Sequence, residues 1–356
     1  MDEPMDTTEN VKPRGWPQLP KEMKRFIIKF LSFPDKQNMM LVDWECARIC
    51  LQLPNKLNEL GITELPSTAK TTIIMKWKNP YGRIVSRLVE YRGAEMRQTD
   101  CPDYTREALK TFLRVWKISK VKNIIIEIPC FEGLSSLWDE IMSDPLTSIA
   151  VKYFNIRTND YRLVQKALGA AKNSKHEISL LANDHGGMET SVFDSPKVKD
   201  ARSVILWSLT SNINDGQLIA LKANNIRVMS NNITSVGISR MIREWRQGIR
   251  SLERLHISAP LVNLDDIVRE IDCICWKDMT DICQVIWREV DEEGYSYATR
   301  GPTSATPAAF GMVQSEGMST FIFRIIKMTA AMSQTLTERC GQNCPSVNRR
   351  IEQATQ

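Results

Sequence analysis

The chain has 356 residues, 42% of them hydrophobic and 25% charged, with a formal net charge of +5, which is the composition of an ordinary globular protein. Its length suits two or three domains or one elongated one. Acidic and basic residues are interspersed without a run of Lys and Arg, and no apolar run approaches the roughly eighteen residues of a membrane span, so neither a nucleic acid nor a membrane is expected as a partner.

Residues 1–15 open with "MDEPMDTTEN", acidic and polar, without the charged-then-apolar order of a secretory signal, and are expected to be disordered. Nine cysteines are spread over the chain with no dense framework, which reads as reduced thiols in a cytoplasmic or nuclear protein. "NIT" at Asn232 matches a glycosylation acceptor, but such a protein would not meet the secretory pathway.

The stretch "LPKEMKRFIIKFLSFPDKQNMMLVDWECARIC", Leu19 to Cys50, is the first with a clear period. Pro20 suits the first turn of a helix. Met23, Phe26, Ile27, Phe30 and Leu31 recur at i, i+3, i+4, i+7 and i+8, one apolar stripe, and Lys21, Glu22, Lys24, Arg25 and Lys29 fill the other face. "SFPD" ends this helix and starts a second, because Pro34 biases Phe33 away from helix and is tolerated at a first helical position. A third helical segment runs from about Asp43 to Leu51, and Pro54 stops it. Three helices in so few residues cannot bury a good core alone, so the unit either packs on the rest of the chain or docks on another protein.

The order of "LP", Met23, Ile27, Leu31, "PD", Leu41, Val42, Cys46 and Ile49 resembles the F-box, the segment of about forty residues that docks on the Skp adaptor of SCF-type ubiquitin ligases. The version here is most similar to nematode F-box proteins. Trp44 and Glu45 stand where that family often has a basic or small polar residue. The resemblance implies an F-box over residues 16–54. It also implies a surface of Leu19, Pro20, Met23, Ile27, Leu31, Pro34, Leu41, Val42 and Ile49 that contacts the adaptor, and through it a cullin-RING ligase.

After Pro54 the pattern alternates. Strands are predicted at "TTIIMKW", "RIVSRLVEY", "VKNIIIEI", "TSIAVKYF", "HEISLLA", "SVILWSL", "NIRVM" and "SLERLHIS". Helices are predicted at "TREALKTFLRVWKIS", at "TNDYRLVQKALGAA" capped by Thr158, at "TSVGISRMIREWRQG" from Thr234 to Gly248, and at "NLDDIVREID" from Asn263. Strand centres near Ile125, Ala150, Ser179, Ile205, Arg227 and Leu255 recur about every 22 to 29 residues, the period of leucine-rich-repeat-like units. The units are degenerate, but strand, helix and strand of this length predict parallel crossovers and a sheet with helices on one side. On "SLERLHIS", Leu255 and Ile257 then face the helices, and Arg254, His256 and Ser258 face outward as candidate contacts for a target. Trp245, in register with Ile238, Met241 and Ile242, reads as core.

From about Ser203 to Ile257 the chain resembles the nematode F-box-associated domain of type 2. The similarity rests on Leu218 and Leu221, the "NIRV" strand, the helix ending at Trp245 and Gly248, and "LERL". It implies a substrate-recruiting domain, read here over residues 65–328. "CQVIWREVDEEGYSYATRG" suggests a hairpin around Glu292, Glu293 and Gly294, and "GMSTFIFRIIKM" a further strand. "TRGPTSATPAAFGM" has two prolines where that family has a charged turn and a strand, which argues against a regular last hairpin. The polar residues 330–356 are expected to be disordered.

Chemistry is sparse. His176, His185 and His256 are the three histidines, and none lies beside a cysteine or in H-E-x-x-H. Cys273, Cys275 and Cys283, and Cys340 with Cys344, lack zinc-ligand spacing. "NDHGGMETS" from Asn183 lacks the Gly-Lys-Ser/Thr of a phosphate cradle. No catalytic residue, metal or cofactor is expected. The reading is a mixed α/β and α+β chain: a three-helix F-box, a leucine-rich-repeat-like array of β-α units and a short C-terminal hairpin. Its expected role is substrate recognition in an SCF-type ubiquitin ligase, with a target the sequence does not identify. The alternatives are an F-box scaffold acting outside ubiquitination and an enzyme without a recognisable motif.

Overall fold

The computed structural model describes residues 15–53, 55–79, 81–92, 103–129, 131–143, 151–171, 176–181, 189–206, 211–271, 274–275, 297–300, 307–315 and 318–325. Three helices come first: α1 (Lys21–Phe30), α2 (Phe33–Met39) and α3 (Trp44–Gln52). Pro20 stands at the N-cap position of α1, one residue before the first turn expected of it and without a side-chain cap, and Pro34 lies in the first turn of α2, where its missing N–H costs nothing. Phe33 is helical despite the following proline, because the chain turns into helix from an extended Ser32. Asp43 caps α3, its carboxylate accepting from the Cys46 N–H at 2.7 Å.

The chain then enters a sheet. Its strands are β1 (Asn55–Leu65), β2 (Lys70–Lys78), β3 (Ile84–Arg92), β4 (Ser119–Glu127), β5 (Tyr153–Arg157), β6 (Glu177–Leu181), β7 (Ser203–Leu206), β8 (Asn225–Met229), β9 (Arg254–Ser258), β10 (Ile274–Cys275), β11 (Tyr297–Arg300), β12 (Pro307–Ser315) and β13 (Met318–Ile325). Their spatial order is β10-β11-β12-β13-β9-β8-β7-β6-β5-β4-β1-β2-β3. The central strands from β9 to β1 are parallel, and each side is finished by an antiparallel ribbon. Between strands run α4 (Asp103–Lys117), α5 (Ser135–Met142), α6 (Tyr161–Ala170), α7 (Pro196–Lys199), α8 (Asp215–Ala220), α9 (Ser235–Arg246) and α10 (Leu264–Glu270).

Alternation decides which face these helices cover. Ile124 and Ile126, Phe154 and Ile156, Ile178 and Leu180, Ile226 and Val228, and Leu255 and Ile257 are all buried. They share one core with Leu109, Phe112 and Trp116 of α4, Leu163 and Val164 of α6, and Ile238, Met241, Ile242 and Trp245 of α9. The opposite face carries the half-buried and exposed residues of the same strands, and Ser258, buried at the end of β9. The expected burial of Leu255, Ile257 and Trp245 is what the structure has, with the Trp245 ring edge-on to Phe323 at 5.0 Å.

Several boundaries differ from the sequence reading. The sheet starts at Asn55, not near residue 65, because β1 is held on both sides by β2 and β4. The fifth strand begins at Tyr153, later than "TSIAVKYF" implied. Asp160, not Thr158, caps α6: its carboxylate accepts from the Arg162 N–H at 2.9 Å, and Thr158 Oγ1 accepts from the Asp160 N–H at 3.1 Å. The prolines of "TRGPTSATPAAFGM" do not prevent a last hairpin: β12 pairs with β13 from Ala308↔Ile325 to Ser315↔Met318, with Pro307 at the strand's first position, where it interrupts nothing. Gly248 ends the α9 region with φ +73°, and Asn263 caps α10, both as expected. The N-terminal residues 1–14, the glycine loop from Asn183 to Met188 with His185, the turn around Glu292–Gly294, Cys273, Cys283 and the polar tail lie outside the described residues.

One large side chain of the three-helix unit enters the core of the sheet, and Gln37 of α2 accepts from the Arg87 guanidinium on β3 at 3.4 Å. Phe33 of α2 is buried in the main core, its ring 5.8 Å from that of Trp77 on β2. The rest of the unit keeps a small core of its own, Ile28, Ile49 and Cys50, with Leu31, Met39, Met40 and Leu53 against it.

Candidate functional site

Helix α1 is turned the opposite way from a usual amphipathic helix. Its inner face holds Lys24 and Ile28, both buried. Its apolar stripe of Met23, Phe26, Ile27 and Phe30 faces solvent. The buried lysine is satisfied: its ammonium reaches Glu45 of α3 at 2.5 Å and the Pro17 carbonyl at 3.4 Å. Glu45, off the F-box pattern in sequence, is therefore what makes the inversion possible. On the same unit the Trp16 indole N–H donates to Cys46 Sγ at 3.1 Å, and Cys46 Sγ in turn lies 3.1 Å from Asp43 Oδ2. Burial, with the Asp43 carboxylate beside it, pushes the Cys46 thiol up, while the N–H of Cys46 holds Asp43 below the usual carboxylate range.

The exposed apolar side chains extend beyond α1. Leu41, Val42 and Trp44 in and after the α2–α3 turn, and Leu51 of α3, are also open, so the exposure on this small unit runs from 37% at Ile27 to 86% at Leu41. The Phe26 and Phe30 rings meet edge-on at 5.0 Å, and the Arg48 guanidinium lies 5.3 Å from the centre of the Trp44 ring. Single exposed apolar residues are normal; this many on one small unit are unusual for a surface left in water.

Of the residues expected to meet an adaptor, Pro20, Met23, Ile27, Leu41 and Val42 are exposed, and Leu19, Leu31 and Pro34 are half-buried. Ile49 departs from that set: it is fully buried in the small core, because α1 and α2 close over its face of α3. Phe26, Phe30, Trp44 and Leu51 join the surface. The period already marked Phe26 and Phe30, and nothing in sequence marked Leu51.

The second surface is the sheet face away from the helices. Register fixes its rows. One row runs Asn123, Tyr153, Glu177, Ser203, Asn225, Arg254 and Arg324, and the next Ile125, Asn155, Ser179, Ile205, Arg227, His256 and Ile322. Arg254 is exposed and His256 half-buried, as expected of outward positions. Ser258 is not available: it is buried, and its hydroxyl shares a hydrogen bond with Thr320 at 2.8 Å, because β13 lies against β9. Arg227 and Arg324 are outward neighbours that alternation could have marked once β8 and β13 were aligned with β9.

His176 is a core residue. It is fully buried, with Nδ1 2.9 Å from the Val151 carbonyl and its ring edge-on to Phe154 at 5.3 Å. Burial raises the Glu64 carboxyl on β1, and the Thr105 hydroxyl, which donates to it at 3.1 Å, offsets this in part. Among the described residues no group of three or more His, Cys, Asp or Glu could hold a metal ion, and no helix is long and apolar enough to cross a membrane. No family model, curated protein or solved structure matches the chain.

Proposed function

We propose that the chain is a substrate-recognition subunit of an SCF-type ubiquitin ligase. The three-helix unit is its F-box and docks a Skp-family adaptor, which connects it to a cullin-RING ligase in the cytoplasm or nucleus. The parallel strands and their helices form the leucine-rich-repeat-like part of the F-box-associated domain, which recruits a protein target. The chain itself performs no chemistry. Its contribution is proximity: a bound target presents its lysines at high effective concentration to the charged ubiquitin-conjugating enzyme.

The observation that carries this reading is the inverted α1. A helix that buries Lys24 and exposes Met23, Phe26, Ile27 and Phe30 spends stability unless a partner covers the stripe. The F-box resemblance supplies the partner's class. The test is co-purification of a Skp-family adaptor with the full chain and with the double variant Ile27→Glu, Phe30→Glu. Both side chains are outside the core, so the variant should fold. Because interface energy concentrates in a few central residues, each worth about 2 kcal/mol or more, adaptor binding should fall at least a hundredfold. Undiminished binding by the folded variant would refute the docking surface. Adaptor binding without ubiquitination of any recruited protein would favour a scaffold outside ubiquitination.

A further inference from the structure

The sheet ends in two different ways. On one side its last strand, β10, has only two residues, and so short a strand is a poor template for pairing. On the other side it ends in β3, nine residues without a proline. The register of β3 on β2 runs from Lys70↔Arg92 to Lys78↔Ile84 without a bulge. Among the described residues β2 is the only strand beside it. Its outer side therefore presents backbone N–H and C=O groups that no other described strand receives.

The side chains of β3 suit a pairing edge. Ile84, Val85 and Leu88 are 61%, 37% and 55% exposed. Among the described side chains of the other strands, only Leu65 at the end of β1 is a large apolar residue left comparably open. Val89 and Tyr91 lean on the helix-side core, with the Tyr91 hydroxyl donating to Thr111 of α4 at 2.8 Å, which holds the strand in place. Charges are a usual guard of an edge, but those of β3 are engaged within the chain. Arg87 donates to Gln37 of α2, and Glu90 receives Lys70 and Arg92 on the other face of the sheet.

We infer that β3 pairs with β3 of a second copy of this chain, antiparallel, with Leu88 on the two-fold axis. In such a closed pairing residue i meets residue j and j meets i. Facing side chains must lie on the same face of the sheet, so the axis passes through a residue. Centring on Leu88 is the register that overlaps the whole of Ile84–Arg92. It sets Leu88 against its copy, Val85 against Tyr91, Arg87 against Val89, Ser86 against Glu90 and Ile84 against Arg92. No like charges meet, and Val85 with Tyr91 is a β-branched and aromatic pair of the kind that stabilises neighbouring strands. Centring on Arg87 or Glu90 would set a charge against its own copy, and centring on Ser86 or Val89 would shorten the overlap. The strand thus complements its own inverted sequence, which favours a second copy over a foreign segment. The pairing does not depend on what covers the three-helix unit.

The test uses the full chain. Sedimentation equilibrium should show a monomer–dimer equilibrium. Leu88→Lys, at a side chain outside the core, should keep the far-ultraviolet circular dichroism spectrum. It should raise the dimer dissociation constant about tenfold or more, because it sets two ammonium groups opposite each other at the axis. Cysteines read the register. Mild oxidation should link Leu88→Cys to its copy, since directly opposed residues have Cα atoms about 4.5 to 5.5 Å apart, within reach of a disulfide. Ser86→Cys should not link beyond the level of the unmodified chain, because its copy stands about 13 Å or more along the strand. A monomer at every concentration would overturn the inference and leave the edge to a segment of another protein. Linking of Ser86→Cys in place of Leu88→Cys would overturn it too. So would a dimer that Leu88→Lys leaves intact; its loss in the Ile27→Glu, Phe30→Glu variant would place self-association on α1 instead.

Discussion

Single residues show where this chain spends stability locally. Glu64 is the plainest case. Burial raises its carboxyl above the usual range, so the folded chain holds that proton more tightly than the unfolded chain. The ionised form therefore destabilises the fold. That cost is fully present above the raised folded value and disappears as pH falls through it to the ordinary glutamate range. Glu64→Gln should raise the melting temperature at pH 7, and the gain should close by about pH 4; an equal gain at both pH values would contradict this account. Gly237 in α9 is a case of space. A Cβ there would clash with Asp215 Oδ1 and sit 3.0 Å from Asp215 Cβ, while that carboxylate accepts from the Thr234 N–H at 2.9 Å and from its hydroxyl at 2.6 Å. Ala would gain about 1 kcal/mol of helix propensity but force overpacking of about 1–3 kcal/mol and disturb a cap worth about 1 kcal/mol. Denaturant titration of Gly237→Ala should show net destabilisation. At this scale the site was partly legible: alternation on "SLERLHIS" marked Arg254 and His256. It could not show that Ser258 is sealed by Thr320, because that contact joins residues far apart in the chain.

Elements with a strong period were legible. The strands β2, β3, β4, β6, β8 and β9 and the helices α4, α9 and α10 stand where apolar spacing and caps put them. β1 was missed because "NKLNELGITEL" is rich in Leu and Glu, good helix formers, and its strand state is imposed by β2 and β4 on either side. α1 gives the more general lesson. Periodicity locates a stripe but not the direction it faces; that depends on Glu45, far along the chain, being present to receive Lys24. Between the helical unit and the sheet, Phe33 is the element-scale joint. Phe33→Ala should cost about 3–5 kcal/mol and change the near-ultraviolet signal of Trp77, its ring partner. A loss below 1 kcal/mol with an unchanged tryptophan signal would mean that the two parts are not joined there.

At the scale of the whole molecule, two surfaces differ in character. An apolar surface lies on the small helical unit, and a charged one lies on the far strands of the sheet, with the helix-covered core between the strands and solvent on the other side. The central claim is that the first surface is where the adaptor binds. Amide hydrogen exchange of the full chain, with and without a saturating Skp-family adaptor, tests it most directly, because packing a partner on α1 suppresses the local opening that exchange reports. The account predicts slowed exchange over residues 21–31 and around Leu41 to Trp44, with β8, β9 and β13 unchanged. Unaltered exchange in α1, or protection confined to the sheet, would contradict it.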